Sequence, residues 1–468
     1  MSSAQTTHYD AIVIGSGQGG TPLCQALAKA GMRTALVERS HVGGTCVNEG
    51  CTPTKTMIAS GRVAYLARRG ADYGVHTEPI TVDLARVRQR KRDIVEEFRT
   101  RNEKRIKSAP NLDWVFGEAS FLDARSIAVR LKDGSQQKIT ADKFFINAGC
   151  RPGKPSFAGL QDVPYLDSTS IMELDTVPEH LLVVGGGYIG VEFGQLFRRF
   201  GARVSIVQHA SQLLRGEDTD IAAEMQKVLE QDGLEISLNT TVQHVIQIGS
   251  EITLALASAG SEPRTVSGSH LLVATGRVPN TDVLNPSAAG IAMDGRGYIQ
   301  VNERLETNVP GIYALGDIKG GPAFTHISYD DFRILRTNVI EKGNATITGR
   351  MVPYTVFTDP QLGRVGLTES QARAEKRKIR VAKMPMAWVA RALETDETRG
   401  FMKVVVDEES KQILGAAILG VDGGEVMSML EIAMMGKLPY TTLQNGTFAH
   451  PNLSEALNNL FLESNFAS

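Results

Sequence analysis

The sequence predicts an α/β fold with two Rossmann-like nucleotide-binding domains followed by a C-terminal α+β domain. Three observations support this prediction: a glycine-rich strand-to-helix unit near the N-terminus, a second copy of that unit around residue 185, and a change of pattern beyond Arg350. The 468 residues are enough for several domains with sizeable cores. The predicted domains comprise residues 1–150, 151–280, 281–349 and 350–468.

The first unit begins with an apolar run, residues 11–14, that opens onto the GxGxxG pattern GSGQGG at residues 15–20. A helical stretch extends to Gly31, and a second apolar run ends at Glu38. Glycines let the backbone turn tightly and approach a pyrophosphate, and a carboxylate at the strand end can accept hydrogen bonds from a ribose diol. The unit therefore predicts a site for the adenosine half of FAD. The residues predicted to bind it are Gly15, Gly17, Gly20 and Glu38.

The second unit repeats this plan as LLVVGGGYIG at residues 181–190, a helical stretch to Gly201 and an apolar run ending at Gln208. One GxGxxG alone leaves a plain strand-to-helix turn equally open, whereas two copies with matching strand ends favour two nucleotide sites. FFINAGCRP (144–152) and LLVATGRVP (271–279) form a second echo. The glycines predicted at the NAD(P) site are Gly185, Gly187, Gly190 and Gly276, and Gly149 is their counterpart at the FAD site.

The strand end at Gln208 bears on the choice between NADPH and NADH. A carboxylate there would repel the 2′-phosphate of NADPH, whereas a neutral side chain near His209 and Arg215 tolerates or attracts it. NADPH is therefore favoured over NADH. The alternative, that His209 and Arg215 are ordinary loop residues, stays open.

The C-terminal part of the sequence, beyond Arg350, has a different texture. Strand-like runs are followed by helical ones, which predicts an α+β arrangement rather than a third Rossmann unit. The predicted strands are residues 352–357, 401–406 and 413–419, and the predicted helices are 424–435 and 453–462, with a further helix at 325–340 before this domain.

Composition excludes several classes of partner. A formal net charge of −2 gives no electrostatic footprint for nucleic acid, and the basic stretch 86–107 alternates with acids, as on a solvated helix. No segment offers the roughly 20 uninterrupted apolar residues of a membrane span. The polar start MSSAQTTHYD lacks the features of a secretory signal, so a cytoplasmic location is expected.

The segment GGTCVNEGCTPTK, residues 43–55, carries two of the four cysteines. A zinc site needs about four ligands and no second cysteine pair lies nearby, while a structural disulfide closing so short a loop would add little stability. A redox-active pair is therefore favoured. Residues five apart in a regular helix rise about 7.5 Å, too far for a disulfide, so a distorted segment is expected, with Gly50 supplying backbone freedom. The start of a helix and the ammonium group of Lys55 are predicted to lower the thiol pKa of the Cys46 and Cys51 pair. The other two cysteines, Cys24 and Cys150, are predicted to be packing residues.

Together with ATGR (274–277), ALGD (314–317) and FAHPNLSEALNNLF (448–461), these motifs give a sequence that resembles the class I pyridine nucleotide-disulfide oxidoreductases along essentially its whole length. That family includes dihydrolipoamide dehydrogenase, glutathione reductase and mercuric reductase. The stretches GGGYIGVEFG, FTHISYDDFRILR and VPYTVFTDPQLGRVGLTE are most similar to the branch of mercuric-reductase-like, reactive-chlorine-resistance oxidoreductases.

The resemblance implies a homodimer in which the four predicted domains are, in order, the FAD domain, the NAD(P) domain, a central domain completing the FAD site, and the dimerisation domain. It implies that electrons pass from NAD(P)H through FAD to a Cys46–Cys51 disulfide, with Cys51 against the flavin and Cys46 attacking the substrate. Lys55 and Glu192 are implied to form an ion pair near the flavin, and Tyr188 is implied to gate the nicotinamide. Thr45, Gly316 and Asp317 are implied to lie at the FAD chain, and Thr325 and His326 against the flavin ring. His450 and Glu455 are implied to form a dyad that completes the partner subunit's site.

The acceptor is a small oxidant whose identity the sequence leaves open. The chain ends ESNFAS, without the vicinal cysteines typical of mercuric reductases, and it keeps the His450–Glu455 dyad, so reduction of a disulfide or related sulfur oxidant is favoured. Because no metal-ligand cluster is evident, no resident metal is predicted. The alternatives are a mercuric or other metal-ion reductase, and a dihydrolipoamide dehydrogenase subunit, acting as an enzyme or mainly as a scaffold, of a 2-oxoacid dehydrogenase complex.

Overall fold

The computed structural model describes residues 7–258, 260 and 262–466. The expectation that the chain starts without a secretory signal rests mainly on residues 1–6, which lie outside the described residues. The strands are β1 Thr7–Ile14, β2 Thr34–Glu38, β3 Leu112–Asp123, β4 Ser126–Leu131, β5 Gln136–Ile146, β6 Cys150–Pro152, β7 His180–Val184, β8 Arg203–Val207, β9 Glu235–Ser237, β10 Thr240–Ile248, β11 Glu251–Ser258, β12 Arg264–Gly268, β13 His270–Val273, β14 Arg277–Pro279, β15 Ile312–Ala314, β16 Tyr354–Val356, β17 Gln361–Gly366, β18 Ile379–Pro385, β19 Phe401–Asp407 and β20 Ile413–Gly420.

The α-helices are α1 Gly20–Lys29, α2 Gly44–Asn48, α3 Cys51–Arg68, α4 Leu84–Lys107, α5 Tyr188–Phe200, α6 Thr219–Gln231, α7 Thr325–Leu335, α8 Glu369–Ala374, α9 Ala390–Glu394, α10 Gly423–Met435, α11 Tyr440–Gln444 and α12 Ala456–Leu460. A π-helix, Arg336–Ile340, continues α7. Short 3₁₀ turns span Gly70–Tyr73, Leu160–Asp162, Ser170–Glu173, Pro286–Ala289, Gly316–Lys319, Met386–Trp388, Leu453–Glu455 and Glu463–Asn465.

The chain divides into two compact units. The first comprises Met1–Thr56, Arg86–Lys154 and Gly276–Arg350, and the second comprises Met57–Ala85, Pro155–Thr275 and Met351–Ser468. The finer division into four domains stays a prediction.

The first unit is built on a sheet in which β1 lies between β2 and β5, all three parallel, with β3 parallel to β2 and β15 parallel to β5. The second half of β3 pairs with β4, and β4 with β5, in antiparallel fashion. Side chains of β1 alternate between two cores: Ala11 and Val13 pack with Leu23 of α1, whereas Ile12 packs with Phe144. The carboxyl ends of β1, β2, β5 and β15 therefore meet at one edge, where ligands bind in open parallel sheets.

The second unit contains a parallel sheet in the order β13-β7-β8-β9, an antiparallel sheet of β10, β11 and β12, and a five-stranded sheet in the order β16-β17-β20-β19-β18. The five-stranded sheet is antiparallel throughout, and the apolar face of α10, including Val426 and Leu430, packs in the same core as Val365 and Ile418 of its strands. This arrangement is the α+β part that the sequence predicts, beside a second parallel nucleotide-type sheet.

Two predicted helices differ in detail. The predicted helix 325–340 is α-helical only to Leu335, and the predicted helix 453–462 consists of a 3₁₀ turn followed by α12. The basic stretch is the mainly exposed helix α4, as predicted. In the part of the chain that the structure describes, no helix has the length and apolar character needed to cross a bilayer.

Candidate redox site

The first glycine turn closes onto the end of β5. Gly15 has φ +98°, and a Cβ there would lie 2.4 Å from the carbonyl oxygen of Asn147, while a Cβ at Gly20 would lie 2.1 Å from the carbonyl oxygen of Gly15. The backbone N–H of Gly20 donates to Oδ1 of Asn147 at 2.9 Å. Only glycine fits these positions. The sequence analysis missed Asn147, although a polar residue directly after a buried strand was a usable signal.

Glu38 lies at the carboxyl end of β2 and is 8% exposed. Its Oε2 accepts hydrogen bonds from the amide of Ser16 at 2.9 Å and from the hydroxyl of Ser16 at 2.6 Å, and its Oε1 accepts from the amide of Ser40 at 2.8 Å. A carboxylate offers about four acceptor positions, so about one remains for a ribose hydroxyl. Glu38 therefore holds the glycine turn in shape and still fits an adenosine ribose.

The turn Gly316–Lys319 follows β15 and is fixed by Asp331, which is fully buried. The carboxylate of Asp331 accepts from the amide of Gly316 at 2.8 Å and forms ion pairs with Lys319 at 3.2 Å and with Arg350 at 2.6 Å. Sequence reasoning missed Asp331, since it lies within a helix, and an aspartate there carries no motif.

Asp317 lies in this turn, and burial raises the pKa of its carboxyl group. Within the described residues, the carboxylate accepts no hydrogen bond, so both oxygens are open to the hydroxyl groups of a ligand. A half-buried acceptor without a protein donor fits the FAD chain that Asp317 is predicted to bind.

The cysteine segment is distorted, as predicted, because α2 ends at Asn48 and α3 begins at Cys51. The reason for Gly50 differs from the prediction. Its backbone lies outside the left-handed region, but a Cβ would lie 2.9 Å from the carbonyl oxygen of Thr45. Close packing, rather than backbone freedom, therefore requires glycine at this position.

Backbone freedom is used instead at the start of α2. Gly43 and Gly44 have φ of +106° and +61°, and a Cβ at Gly44 would lie 2.7 Å from Cα of Gly17. The amide of Gly43 also donates to the carbonyl oxygen of Ser16 at 3.1 Å. The cysteine segment is thus packed against the first glycine turn.

Neither cysteine of the pair forms a disulfide in this structure; Cys46 is half-buried and Cys51 is exposed. Sγ of Cys51 lies 3.2 Å from Oγ1 of Thr325, the first residue of α7. A hydrogen bond with Cys51, and secondly burial, raise the pKa of the Cys46 thiol. The predicted lowering of the thiol pKa is therefore wrong for Cys46. Once Cys51 is ionised, the proton that the two sulfurs share stays on Cys46 and is hard to remove.

The second glycine turn repeats the geometry of the first. Gly185 has φ +115° and a Cβ there would lie 2.4 Å from the carbonyl oxygen of Ala274, while a Cβ at Gly190 would lie 2.0 Å from the carbonyl oxygen of Gly185. Around Gly187, just before α5, no atom of the described residues lies within 4 Å of a built Cβ. The turn leaves open space at a helix N-terminus, where a phosphate is stabilised.

Gln208 is 4% exposed and occupies the position that corresponds to Glu38. Its Oε1 accepts from the amide of Gly186 at 3.2 Å, and its Nε2 donates to the carbonyl oxygen of Gln212 at 3.2 Å. His209 and Arg215 are exposed. The strand end is therefore neutral, with two basic side chains nearby in sequence.

Helix α5 carries Tyr188, the predicted gate for the nicotinamide, and Glu192, the predicted partner of Lys55 near the flavin. Tyr188 is its first residue and is 41% exposed, whereas Glu192 is buried and accepts from the amide of Phe357 at 2.8 Å. Lys55 and Glu192 belong to different units, so their ion pair stays a prediction.

The predicted dyad forms within one chain. Nδ1 of His450 lies 2.8 Å from Oε2 of Glu455, and the imidazole is 69% exposed. A carboxylate at this distance fixes the tautomer and orientation of the ring. The role of the dyad in a partner subunit stays a prediction, as do the roles of Gly149, Gly276 and His326. Among the described residues, no group of three or more His, Cys, Asp or Glu is placed to hold a metal ion.

Comparison with known proteins gives two family matches and several full-length relatives. The model described as pyridine nucleotide-disulphide oxidoreductase matches residues 9–331, and that of the family's dimerisation domain matches residues 352–461. The chain is 39% identical to the probable pyridine nucleotide-disulfide oxidoreductase RclA of Escherichia coli, covering 97% of this chain and 98% of that protein. It is 34% identical to a mercuric reductase of Lysinibacillus sphaericus, covering 94% of this chain and 81% of that protein.

A solved structure agrees. The Cu(II) complex of the HOCl-induced flavoprotein disulfide reductase RclA from Escherichia coli matches with a TM-score of 0.89 at 38% identity, covering 97% of this chain and 99% of that chain. The predicted fold class and enzyme class are confirmed, and FAD with NAD(P)H are the cofactors of the family. The chain belongs to the pyridine nucleotide-disulphide oxidoreductase family.

Proposed function

We propose that this flavoenzyme uses NADPH to reduce a small disulfide or related sulfur oxidant through Cys46 and Cys51. The observation that carries the proposal is the pair of neighbouring, hydrogen-bonded thiols beside Thr325, in the unit that also contains the first glycine turn and Asp317. FAD, when bound, supplies two-electron transfer between the nicotinamide and this pair. Glu38, Asp317 and the glycine turn would hold it.

The proposed reaction starts with the Cys46 thiolate attacking one sulfur of the substrate disulfide. A mixed disulfide forms, and one substrate thiolate leaves and takes a proton. Cys51 then attacks the Cys46 sulfur, which closes the Cys46–Cys51 disulfide and releases the second substrate thiol. The two electrons gained by the substrate come from the pair, and Sγ of Cys51 lies within hydrogen-bond distance of the Thr325 hydroxyl.

The raised pKa of Cys46 gives the His450–Glu455 dyad a task. A thiol that holds its proton tightly needs a base to become a nucleophile, and the departing thiolate needs an acid. An imidazole oriented by a carboxylate can serve as both. We therefore propose a homodimer in which the dyad of each subunit completes the other's site, and a cytoplasmic location, where thiols stay reduced.

NADPH is the proposed donor because the strand end beside the second glycine turn carries no charge. Gln208 supplies the same hydrogen bond to the turn as Glu38 does at the first site, without repelling a 2′-phosphate, and the exposed Arg215 can pair with it.

Metal-ion reduction is the second candidate. Two neighbouring thiols are soft ligands suited to Cu(I) or Hg(II). The Escherichia coli structure is titled as a Cu(II) complex, and several relatives are named mercuric reductases.

The test is anaerobic reduction of the flavin-loaded protein with NADPH or NADH, followed by oxidised lipoamide, glutathione disulfide, hypothiocyanite, Cu(II) or Hg(II). Cys46→Ser is expected to abolish turnover with disulfides while NADPH still bleaches the flavin. The control is Cys24→Ser, a buried thiol on α1 whose hydroxyl replacement can keep the hydrogen bond to Thr21 at 3.1 Å, and it should retain full turnover.

Full disulfide turnover in Cys46→Ser would refute the proposal. Turnover of Cu(II) or Hg(II) well above that of every sulfur oxidant would favour the second candidate. Preferential turnover of lipoamide with NADH would favour the dihydrolipoamide dehydrogenase alternative.

A further inference from the structure

A cavity of about 160 Å³ opens on the first unit and lies outside the residues assigned to the redox site. Its walls come from β5, β15, the segment before β15 and the end of the helix that starts at Thr325. The polar side chains that line it are Lys143, Arg304, Glu306, Tyr313, Asn338 and Lys342.

None of the three cations of this cavity, Lys143, Arg304 and Lys342, forms a direct ion pair within the described residues. Arg304 donates to the side-chain oxygen of Asn344 and to the carbonyl oxygen of Gly343, and Lys342 donates to the carbonyl oxygen of Val339 at 2.9 Å. These partners are neutral, so they orient the cations without cancelling them. The side chain of Lys143 makes no hydrogen bond or ion pair within the described residues.

The single carboxylate of the cavity is already engaged. Oε1 of Glu306 accepts from the amide of Gly311 at 3.0 Å, and Glu306 also accepts from the hydroxyl of Tyr313. Burial, and secondly the charge of Glu306, raise the pKa of Tyr313, so the phenol stays a neutral donor. The cavity thus sets three positive groups against one negative group.

The wall that carries Lys342 is held in an unusual backbone conformation. The π-helix Arg336–Ile340 contributes Asn338, whose side chain donates to the carbonyl oxygen of Ala345 at 2.8 Å and accepts from its amide at 2.7 Å. Lys342 itself has φ +59°. Single π turns are rare and occur often at functional sites, and a left-handed non-glycine residue persists only where its surroundings fix it. The loop is therefore built to hold its cations in place.

We propose that this cavity binds the phosphate group of a small anion. Three cationic side chains and one carboxylate line a partly enclosed space, and this excess of positive charge suits a phosphate dianion. The source is either inorganic phosphate or the phosphate of a small organic molecule. The site is independent of the acceptor proposed for Cys46.

The test is calorimetric titration of the flavin-loaded protein with inorganic phosphate and with glycerol phosphate, at constant ionic strength set by chloride. Lys143→Gln removes one charge without breaking a contact and is expected to weaken binding about tenfold or more. Lys138→Gln, an exposed charge on the same strand outside the cavity, is the matched control and should leave binding unchanged. The tighter of the two ligands identifies the source.

Three results would overturn the proposal: no binding of either ligand, equal affinity in Lys143→Gln and the unaltered protein, or binding lost in Arg215→Gln instead. The last result would place the phosphate at the nucleotide site of the second unit. Thermal unfolding of Lys143→Gln that matches the unaltered protein shows that a loss of binding is local.

Discussion

Asp331 is expected to be one of the most sensitive single positions of the first unit. It is fully buried and holds the Gly316 amide together with Lys319 and Arg350, whose side chains are 5% and 14% exposed. Asp331→Asn keeps the size of the side chain but removes the nearest counter-ion of two largely buried cations. Breaking a buried ion pair in this way costs about 3–5 kcal/mol, because the remaining charge cannot be solvated.

The neighbouring residue supplies the control. Asp330 also faces Arg350, at 3.6 Å, but its side chain is 34% exposed, so Asp330→Asn should cost about 0–1 kcal/mol. Both variants change the same charge, one residue apart, on the same helix. A difference between them therefore reports burial and the contact to Gly316 rather than charge.

Urea-induced release of flavin, followed by the rise in flavin fluorescence, measures the effect on the first unit. Asp331→Asn is expected to release flavin at markedly lower urea and to be purified with less than one flavin per chain, since the turn that carries Asp317 is no longer fixed. Asp330→Asn should resemble the unaltered protein. Equal release midpoints for the two variants would refute the reasoning.

Three further predictions concern the cysteine segment and the nucleotide strand end. Gly50→Ala places a Cβ 2.9 Å from the Thr45 carbonyl oxygen and should lower disulfide turnover. Gly295→Ala, which has open space around it, should leave turnover unchanged. Equal turnover by the two variants would contradict the packing argument. Cys51→Ser removes the main cause that raises the pKa of Cys46, so a larger fraction of Cys46 should be thiolate at pH 8. Iodoacetamide should then label Cys46 faster, as measured by mass spectrometry. An unchanged labelling rate would count against the shared proton. Gln208→Glu should raise KM for NADPH about tenfold or more relative to NADH, since a carboxylate repels the 2′-phosphate. The carboxylate can still accept the hydrogen bond from Gly186 but cannot donate to the carbonyl oxygen of Gln212, so thermal stability should fall as well. An unchanged NADPH/NADH ratio would show that this strand end does not face the 2′-phosphate.

Local patterns in the sequence were enough to predict the two glycine turns and the distortion of the cysteine segment. Residues 15–20 and Glu38 lie within a single strand-helix-strand unit, so their spacing alone places them at one sheet edge. Asn147 was missed because its hydrogen bond to Gly20 spans 127 positions, and Asp331 because a helix interior gives no motif. The reason for Gly50 was misjudged, since only tertiary packing shows that Thr45 occupies the space of its Cβ.

The two nucleotide turns show which part of the motif belongs to the fold and which to the ligand. Glu38 and Gln208 both accept a hydrogen bond from the second residue of their glycine turn, at 2.9 Å and 3.2 Å. The fold therefore needs an acceptor at this strand end but not a charge. Because the turn forms with either a charged or a neutral acceptor, we expect the presence of a charge here to depend on the nucleotide rather than on the fold. A carboxylate at the first site and a neutral amide at the second are thus the sequence difference on which the proposed assignment of FAD to the first turn and NADPH to the second rests.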